Sequence, residues 1–186
     1  MTLDIATARA ARPYTRREYL GRVLWALATP LFRCSPRPLF GWRNLLLRCF
    51  GAKLGRGVHV DPGARIEIPW NLELGDHAAI GAGVWVYNLG PIRVGARATV
   101  SHRAHLCGGS HDYTDPALPL LRTGLTIGDD AWVCADAFVG PGVMVGEGAV
   151  VGAAAVAMRD VEPWMVVAGN PARVVKRREL RQAQTP

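Results

Sequence analysis

The sequence predicts an all-β solenoid of hexapeptide repeats, with a short helical appendage at its N-terminus and one loop extruded from the coil. Three observations predict it. From Ile127 the chain reads Ile-Gly-Asp-Asp-Ala-Trp, Val-Cys-Ala-Asp-Ala-Phe, Val-Gly-Pro-Gly-Val-Met, so an aliphatic residue returns at 127, 133, 139, 145 and 151. Neither a helix, with a period of about 3.6, nor a half-buried strand, with a period of about 2, produces that beat. The same beat falls upstream at Leu54, Val60 and Ile66, at Leu74, Ile80 and Val86, and at Val94, Val100 and Leu106. After Leu106 the next beat is delayed until Ile127. The chain between must leave the coil.

The elements follow in order. Residues 1–14 lack an apolar stretch and are expected to be disordered. Residues 15–29 carry a helical pattern, with Tyr19, Val23, Leu24, Ala26 and Leu27 along one side and Thr15 placed as the cap. Cys34-Ser-Pro-Arg-Pro-Leu breaks it, and a second helix is expected over 39–50 with Phe40, Leu46, Leu47 and Phe50 apolar. A solenoid end exposes core and unpaired backbone, so this appendage is expected to cap the first coil. The boundaries are then 1–50 for the appendage, 51–178 for the solenoid with its loop at 107–126, and 179–186 for a tail.

Each group of three beats spans 18 residues, one triangular coil of three short strands. A small residue four places after each beat (Ala64, Ala78, Ala98, Ala131, Ala137) fits a narrow interior. The phase slips by two at Leu72-Glu73 and Ile92-Arg93, which reads as small corner bulges.

At 186 residues, with a net charge of +7, the chain is one domain with an appendage. Its basic residues concentrate in Arg12 to Arg48 and Arg173 to Arg181. Such charge suits solvated surface, an anionic ligand or an anionic lipid surface. Nucleic acid is disfavoured because no binding motif accompanies it. Four cysteines without paired or zinc-type spacing, and no apolar leader in the first fourteen residues, predict the cytoplasm. Tyr19 to Phe32 is too short for a span and contains Arg22.

The loop opens Cys107-Gly-Gly-Ser-His-Asp-Tyr-Thr-Asp-Pro. Gly108 and Gly109 free the backbone to turn outward. His111 follows on the protruding arm, and an ordinary imidazole, titrating near ~6.5, suits a general base at neutral pH. An acyl transfer with such a base needs no nucleophilic Ser or Cys. His102 and His105, on the coil, are alternatives to it. His59 and His77 are read as structural. Trp132 should stand outside the coil near the loop's return, where it can wall a ligand or meet another subunit. Asn88, just before the third coil, is a candidate partner for a substrate hydroxyl.

With these residues in view, the repeat, Gly109-Ser-His-Asp-Tyr and Val167-Ala-Gly-Asn-Pro-Ala-Arg-Val resemble the hexapeptide-repeat acyltransferases. Within them the chain is similar to the colanic acid biosynthesis acetyltransferases, through Ser35-Pro-Arg-Pro-Leu-Phe-Gly-Trp-Arg, Pro69-Trp-Asn-Leu-Glu and Tyr87-Asn-Leu-Gly-Pro-Ile. The resemblance implies a left-handed parallel β-helix, a hand that opposes the usual right-handed crossover. It implies a homotrimer with active sites between subunits, acetyl-CoA as donor and no metal. His111 takes the place of the catalytic histidine, and Trp132 of the tryptophan walling the acetyl-CoA cleft. Ala135, Ala153 and Met158 fall along the pantetheine arm, and Arg173 and Lys176 near the phosphates of coenzyme A. Asn88, with Asp112 and Tyr113 beside the histidine, is assigned to the acceptor.

The activity so implied is O-acetyl transfer to a sugar hydroxyl of an exopolysaccharide precursor, sugar-nucleotide or lipid-linked. Two alternatives stand beside it: a non-catalytic scaffold subunit, and a γ-carbonic-anhydrase-like metal hydratase. The hydratase needs two histidines five residues apart, whereas His105 and His111 are six apart. The segment 15–50 has two readings, a cap on the solenoid or a peripheral contact with a membrane or a glycosyltransferase.

Overall fold

The computed structural model describes residues 2–181. It is a left-handed parallel β-solenoid of five three-stranded coils and a partial sixth, preceded by three helices. The first face stacks Leu54, Leu74, Val94, Ile127 and Val145 in parallel register. The second stacks Val60, Ile80, Val100, Val133, Val151 and Val167. The third stacks Ile66, Val86, Leu106, Val139 and Ala157. These are the beat positions, and except for Leu54 all are buried. The small residues between them, Ala78, Ala98, Ala104 and Ala137 among them, are wholly buried. Side chains of alternating size fill a column too narrow for aromatic rings.

The extra residues all fall at one corner, between the third face of one coil and the first face of the next. There Pro69–Asn71 forms a single 3-10 turn, Asn88–Pro91 a tight bend, and 108–124 the extruded loop. The slips at Leu72 and Ile92 do not bulge the strands. They lengthen the first-face strands to three residues, Leu72–Leu74 and Ile92–Val94, and bury both leucine and isoleucine.

Parallel stacking leaves a defined row of acceptors at the N-terminal end. Alternate N–H groups of each coil donate to carbonyls of the next, as from His59 to Ala78 and from Arg65 to Val84. The matching carbonyls of the first coil, Val58 O, Val60 O and Ile66 O among them, have no preceding coil to receive from. The helices α2 (Arg16–Arg33) and α3 (Phe40–Cys49) supply side-chain donors in its place. Trp25 Nε1 donates to Ile66 O at 2.8 Å, Arg43 Nε to Val60 O at 2.7 Å and Asn44 Nδ2 to Val58 O at 2.8 Å. Arg48 reaches Leu54 O at 3.0 Å. Trp25, Phe32 and Leu47 close the core beneath.

Two expectations about the appendage need correction. Residues 1–14 are not without structure: α1 (Ile5–Ala10) is capped by the Asp4 side chain, and Asp4 N donates to Pro116 O of the extruded loop. The expected core side of α2 is the wrong side. Thr15 forms the predicted cap, within a capping box closed by Glu18, but Trp25 and Phe32 face the solenoid. Tyr19, Val23, Leu24 and Leu27 are exposed. The helix carries two apolar stripes, and the one rich in aliphatics is not the one that packs. Of the expected tail, residues 182–186 lie outside the described residues.

Candidate active site

The site begins with the corner from which the loop departs. Asn88 is wholly buried there. Its Oδ1 accepts from Glu67 N (3.2 Å) and Ile68 N (3.0 Å), while Nδ2 donates to Ile68 O. Asn71 Nδ2 bonds Asn88 O and Leu89 O one coil along. The expectation that Asn88 meets a substrate hydroxyl is therefore corrected. Where strand pairing lapses at a bend, its amide substitutes for the missing backbone partners, and the buried side chain presents no surface to a ligand.

The loop is a hairpin rather than a free coil. Ser110–His111 pairs antiparallel with Leu120–Leu121, His111 opposite Leu120. It closes at Gly124, whose φ of +71° and approach to Pro91 O exclude a side chain. Arg122 fixes the returning arm: Nε donates to Leu89 O at 2.9 Å and Nη2 to Glu18 Oε1 at 2.7 Å, with Tyr14 under its guanidinium. The first turn of α2 and the loop are thus one unit, a tie that no motif in the sequence announces.

His111 is exposed on this hairpin, and its Nδ1 lies 2.6 Å from Leu118 O. A carbonyl oxygen only accepts, so Nδ1 carries the proton and Nε2 presents its lone pair outward. Leu118 attains this position with a positive φ of 46°, and its own N–H donates to Asp115 O. The partner that orients the histidine is a backbone atom, which leaves no residue signature. Asp112 is spent locally. It accepts from Thr114 N and Oγ1, and the Thr114 hydroxyl bond holds its carboxyl below the usual range. Tyr113 is 87% exposed.

The other histidines stand apart. His105 stacks on Trp85, ring centroids 4.6 Å apart, with Phe138 edge-on, and burial lowers its pKa. His102 is exposed at the corner between the second and third faces, and His59 stacks on Phe40. Burial pushes the thiols of Cys107 and Cys134 up, away from nucleophilic thiolate.

Trp132 lies on the second face, 45% exposed, with Nε1 donating to Ser101 Oγ at 2.8 Å. Along that face Trp132, Val150, Val166 and Lys176 stand in register on successive strands. Three strand steps put Lys176 about 14 Å from Trp132. Ala135 and Ala153 lie one above the other at the adjacent corner, where Ala154 N donates to Ala135 O. Met158 and Arg173 line a cleft of about 510 Å³ at the C-terminal end.

The predicted residues are thus divided. Trp132, Ala135, Ala153 and Lys176 occupy the second face and its neighbouring corner. The loop bearing His111, Asp112 and Tyr113 leaves the corner between the third and first faces. In a triangular prism that corner is opposite the second face. One chain does not bring the two groups together.

A hexapeptide solenoid with a histidine hairpin at one corner and a basic strand beyond its last coil defines a hexapeptide-repeat acetyltransferase. The chain belongs to this family. It is 42% identical over 154 residues, 83% of this chain and 85% of the relative, to the protein of Escherichia coli strain K12 named as the colanic acid biosynthesis acetyltransferase WcaF. It is 31% identical over 141 residues, 72% of each chain, to a protein of Dictyostelium discoideum named as an acetyltransferase. Among solved structures, the hexapeptide-repeat acetyltransferase VCA0836 of Vibrio cholerae matches with a TM-score of 0.81 at 25% identity, over 89% of this chain and 94% of that one. VCA0836 has also been solved in complex with acetyl coenzyme A. No family model matches the chain.

Proposed function

We propose that this acetyltransferase moves an acetyl group from acetyl-CoA to a sugar hydroxyl of a surface-polysaccharide precursor, with His111 as general base. The observation that carries the proposal is the His111–Leu118 contact, which fixes the tautomer and leaves Nε2 free to accept a proton. Nε2 takes the proton of the acceptor hydroxyl as its oxygen attacks the thioester carbonyl. The tetrahedral intermediate collapses, the C–S bond breaks, and the proton passes from the imidazolium to the departing thiolate. Neither Cys107 nor Cys134, whose thiols burial pushes up, is set up as an acyl-carrying nucleophile.

The donor lies along the second face, with Trp132 beside the acetyl end, Ala135 and Ala153 along the pantetheine, and Arg173 and Lys176 toward the phosphates. Met158 follows the third-face strand Val156–Ala157 and lies off this path, joined to Arg173 only across the cleft at the C-terminal end. Two exposed cations at the end of an otherwise apolar outer column suit a ligand with charge at one end only. The acceptor meets the loop, beside Tyr113. Because His111 and Trp132 lie on opposite sides of the prism, the working unit is a closed ring of three copies. Each loop then faces the second face of its neighbour. The surface-polysaccharide acceptor rests on the 42% identical relative, whose name carries colanic acid biosynthesis.

Calorimetric titration with acetyl-CoA tests the donor site, and turnover on a saccharide acceptor tests the base. His111→Ala is expected to lower turnover by roughly 10²–10⁴-fold, the usual contribution of a general base, with acetyl-CoA affinity kept. Arg173→Ala with Lys176→Ala is expected to weaken acetyl-CoA binding. Near-normal turnover in His111→Ala would remove the base. Absence of acetyl-CoA binding would remove the donor, and leave a scaffold role in its place.

A further inference from the structure

Helix α2 buries one stripe and exposes another. Trp25 and Phe32 face the first coil, whereas Leu20, Val23, Leu24, Leu27 and Leu31 are exposed. Spacings of three, four, seven and eleven residues align these five along a stripe roughly 100° wide, running the length of the helix. It does not end at the helix. Trp42 of α3 donates its indole N–H to Leu31 O at 3.1 Å, and Leu39 and Trp42 share a surface hollow with Pro30 and Leu31. The result is a continuous apolar surface on the outside of the cap. A surface of that kind on a folded protein marks an interaction site.

Charge identifies the occupant. Residues 1–50 hold nine arginines and two acids, Asp4 and Glu18, so this segment carries +7, the whole net charge of the chain. The other 136 residues carry thirteen of each sign. Glu18 is already engaged by Thr15 and Arg122. The cations bracket the stripe: Arg9, Arg12, Arg16 and Arg17 precede it, and Arg33 and Arg37 follow. All six are exposed, and among the described residues only Arg37 has a carboxylate within ion-pair distance. An aliphatic stripe bounded at both ends by exposed arginines, all but Arg37 without a carboxylate partner, matches acyl chains beneath anionic headgroups. A second copy of the same chain would bring +7 against +7. Among the described residues no helix is long and apolar enough to cross a membrane, so the helix lies on the surface.

We infer that the outer face of α2, with Leu39 and Trp42, docks this protein on an anionic lipid bilayer. The aliphatic side chains enter the boundary between headgroups and acyl chains, and the flanking arginines pair with lipid phosphates. Because the first turn of α2 is tied through Arg122 to the histidine loop, docking sets the loop close to the bilayer. The inference stands whether or not the acceptor proposed above is right.

Flotation of the full-length protein with protein-free vesicles tests it. The vesicles are phosphatidylcholine alone, or with about a third phosphatidylglycerol. Binding is expected to the anionic vesicles only, and to weaken several-fold between 50 mM and 500 mM salt, since these contacts are screened. Leu24→Glu with Leu27→Glu is expected to abolish binding. Arg16→Ala with Arg17→Ala is expected to weaken it about twenty-five-fold, at about five-fold per cation near an anionic leaflet. Both pairs should keep the parent's circular dichroism, acetyl-CoA affinity and turnover on a soluble acceptor, so loss of docking and loss of catalysis read out separately. Three results would overturn the inference. One is wild-type protein that stays in solution with anionic vesicles. Another is equal binding by Leu24→Glu, Leu27→Glu. The third is a change of oligomeric state in that variant with vesicle binding unaltered, which would assign the stripe to a second copy. Sedimentation with native membranes but not with protein-free vesicles would likewise reject a lipid partner in favour of a protein one.

Discussion

Three polar side chains show how much one residue carries when a solenoid hides it. Asn88 answers two N–H groups and a carbonyl at a bend where no strand can. Each such group left unpaired in the interior costs about 1–3 kcal/mol, so the bend rests on this side chain. Arg122 does the same for Leu89 O while joining the loop to α2. His105 is the opposite case. Its Nε2 is buried without a partner among stacked aromatic rings, so burial favours the neutral imidazole over the imidazolium. Above the ordinary imidazole pKa of ~6.5 the ring is neutral folded or unfolded, and stability is full. As pH falls below that value the unfolded chain takes a proton that the folded chain refuses, and stability is lost until the lowered folded pKa is reached. His105→Phe, which keeps the aromatic stack, is expected to flatten the fall of melting temperature between about pH 7.5 and 4.5 relative to the parent. An identical slope in the two proteins would show that burial of this ring does not set it.

The appendage acts as an element through its donors. The exposed end of the first coil is a row of carbonyls, and Trp25, Arg43, Asn44 and Arg48 are the side chains that meet it. Arg43 also bonds Ser35 Oγ and Pro36 O, so one guanidinium ties the strand edge, the α2–α3 connection and its own helix together. Arg43→Met fills similar volume but orphans those oxygens. It is expected to lower unfolding stability by roughly 2–4 kcal/mol in urea, since several buried acceptors lose their donor. Arg37→Met, at an exposed ion pair with Asp61, is expected to cost under about 1 kcal/mol. Similar losses in both would mean the carbonyl row is satisfied by other means. Here the sequence was only half legible. The cap at Thr15 and the existence of two helices followed from local signals. The side of α2 that packs did not, because α2 bears two apolar stripes and periodicity cannot rank them. The solenoid was the opposite case: two inward residues in six, one aliphatic and one small, repeated over every coil, fix register without any long-range information. Asn88 was misjudged for a related reason. A polar residue at a bend looks the same in sequence whether it faces solvent or replaces missing backbone bonds.

At the scale of the molecule, a prism with three faces separates the groups that the proposed chemistry combines. The hairpin that orients His111 leaves the corner between the third and first faces, while Trp132 and Lys176 share the outer side of the second. Neither a longer loop nor a rotamer change carries an imidazole around the prism, whereas the neighbouring copy of the proposed ring would do so without distortion. In the proposed ring of three, each site would take His111 from one copy and Trp132 from the next. His111→Ala and Trp132→Ala should each be poorly active alone, because every site then lacks the same group. Unfolded together and refolded as mixed rings, they should regain activity. With random assembly about one site in four receives an intact histidine and an intact tryptophan, so recovery should approach about a quarter of the parent's turnover. Measuring the mixture against the two separate variants at equal total protein decides the matter. If the mixture gives only the average of the two, both residues serve sites within single chains, and a composite site in a ring of three is wrong.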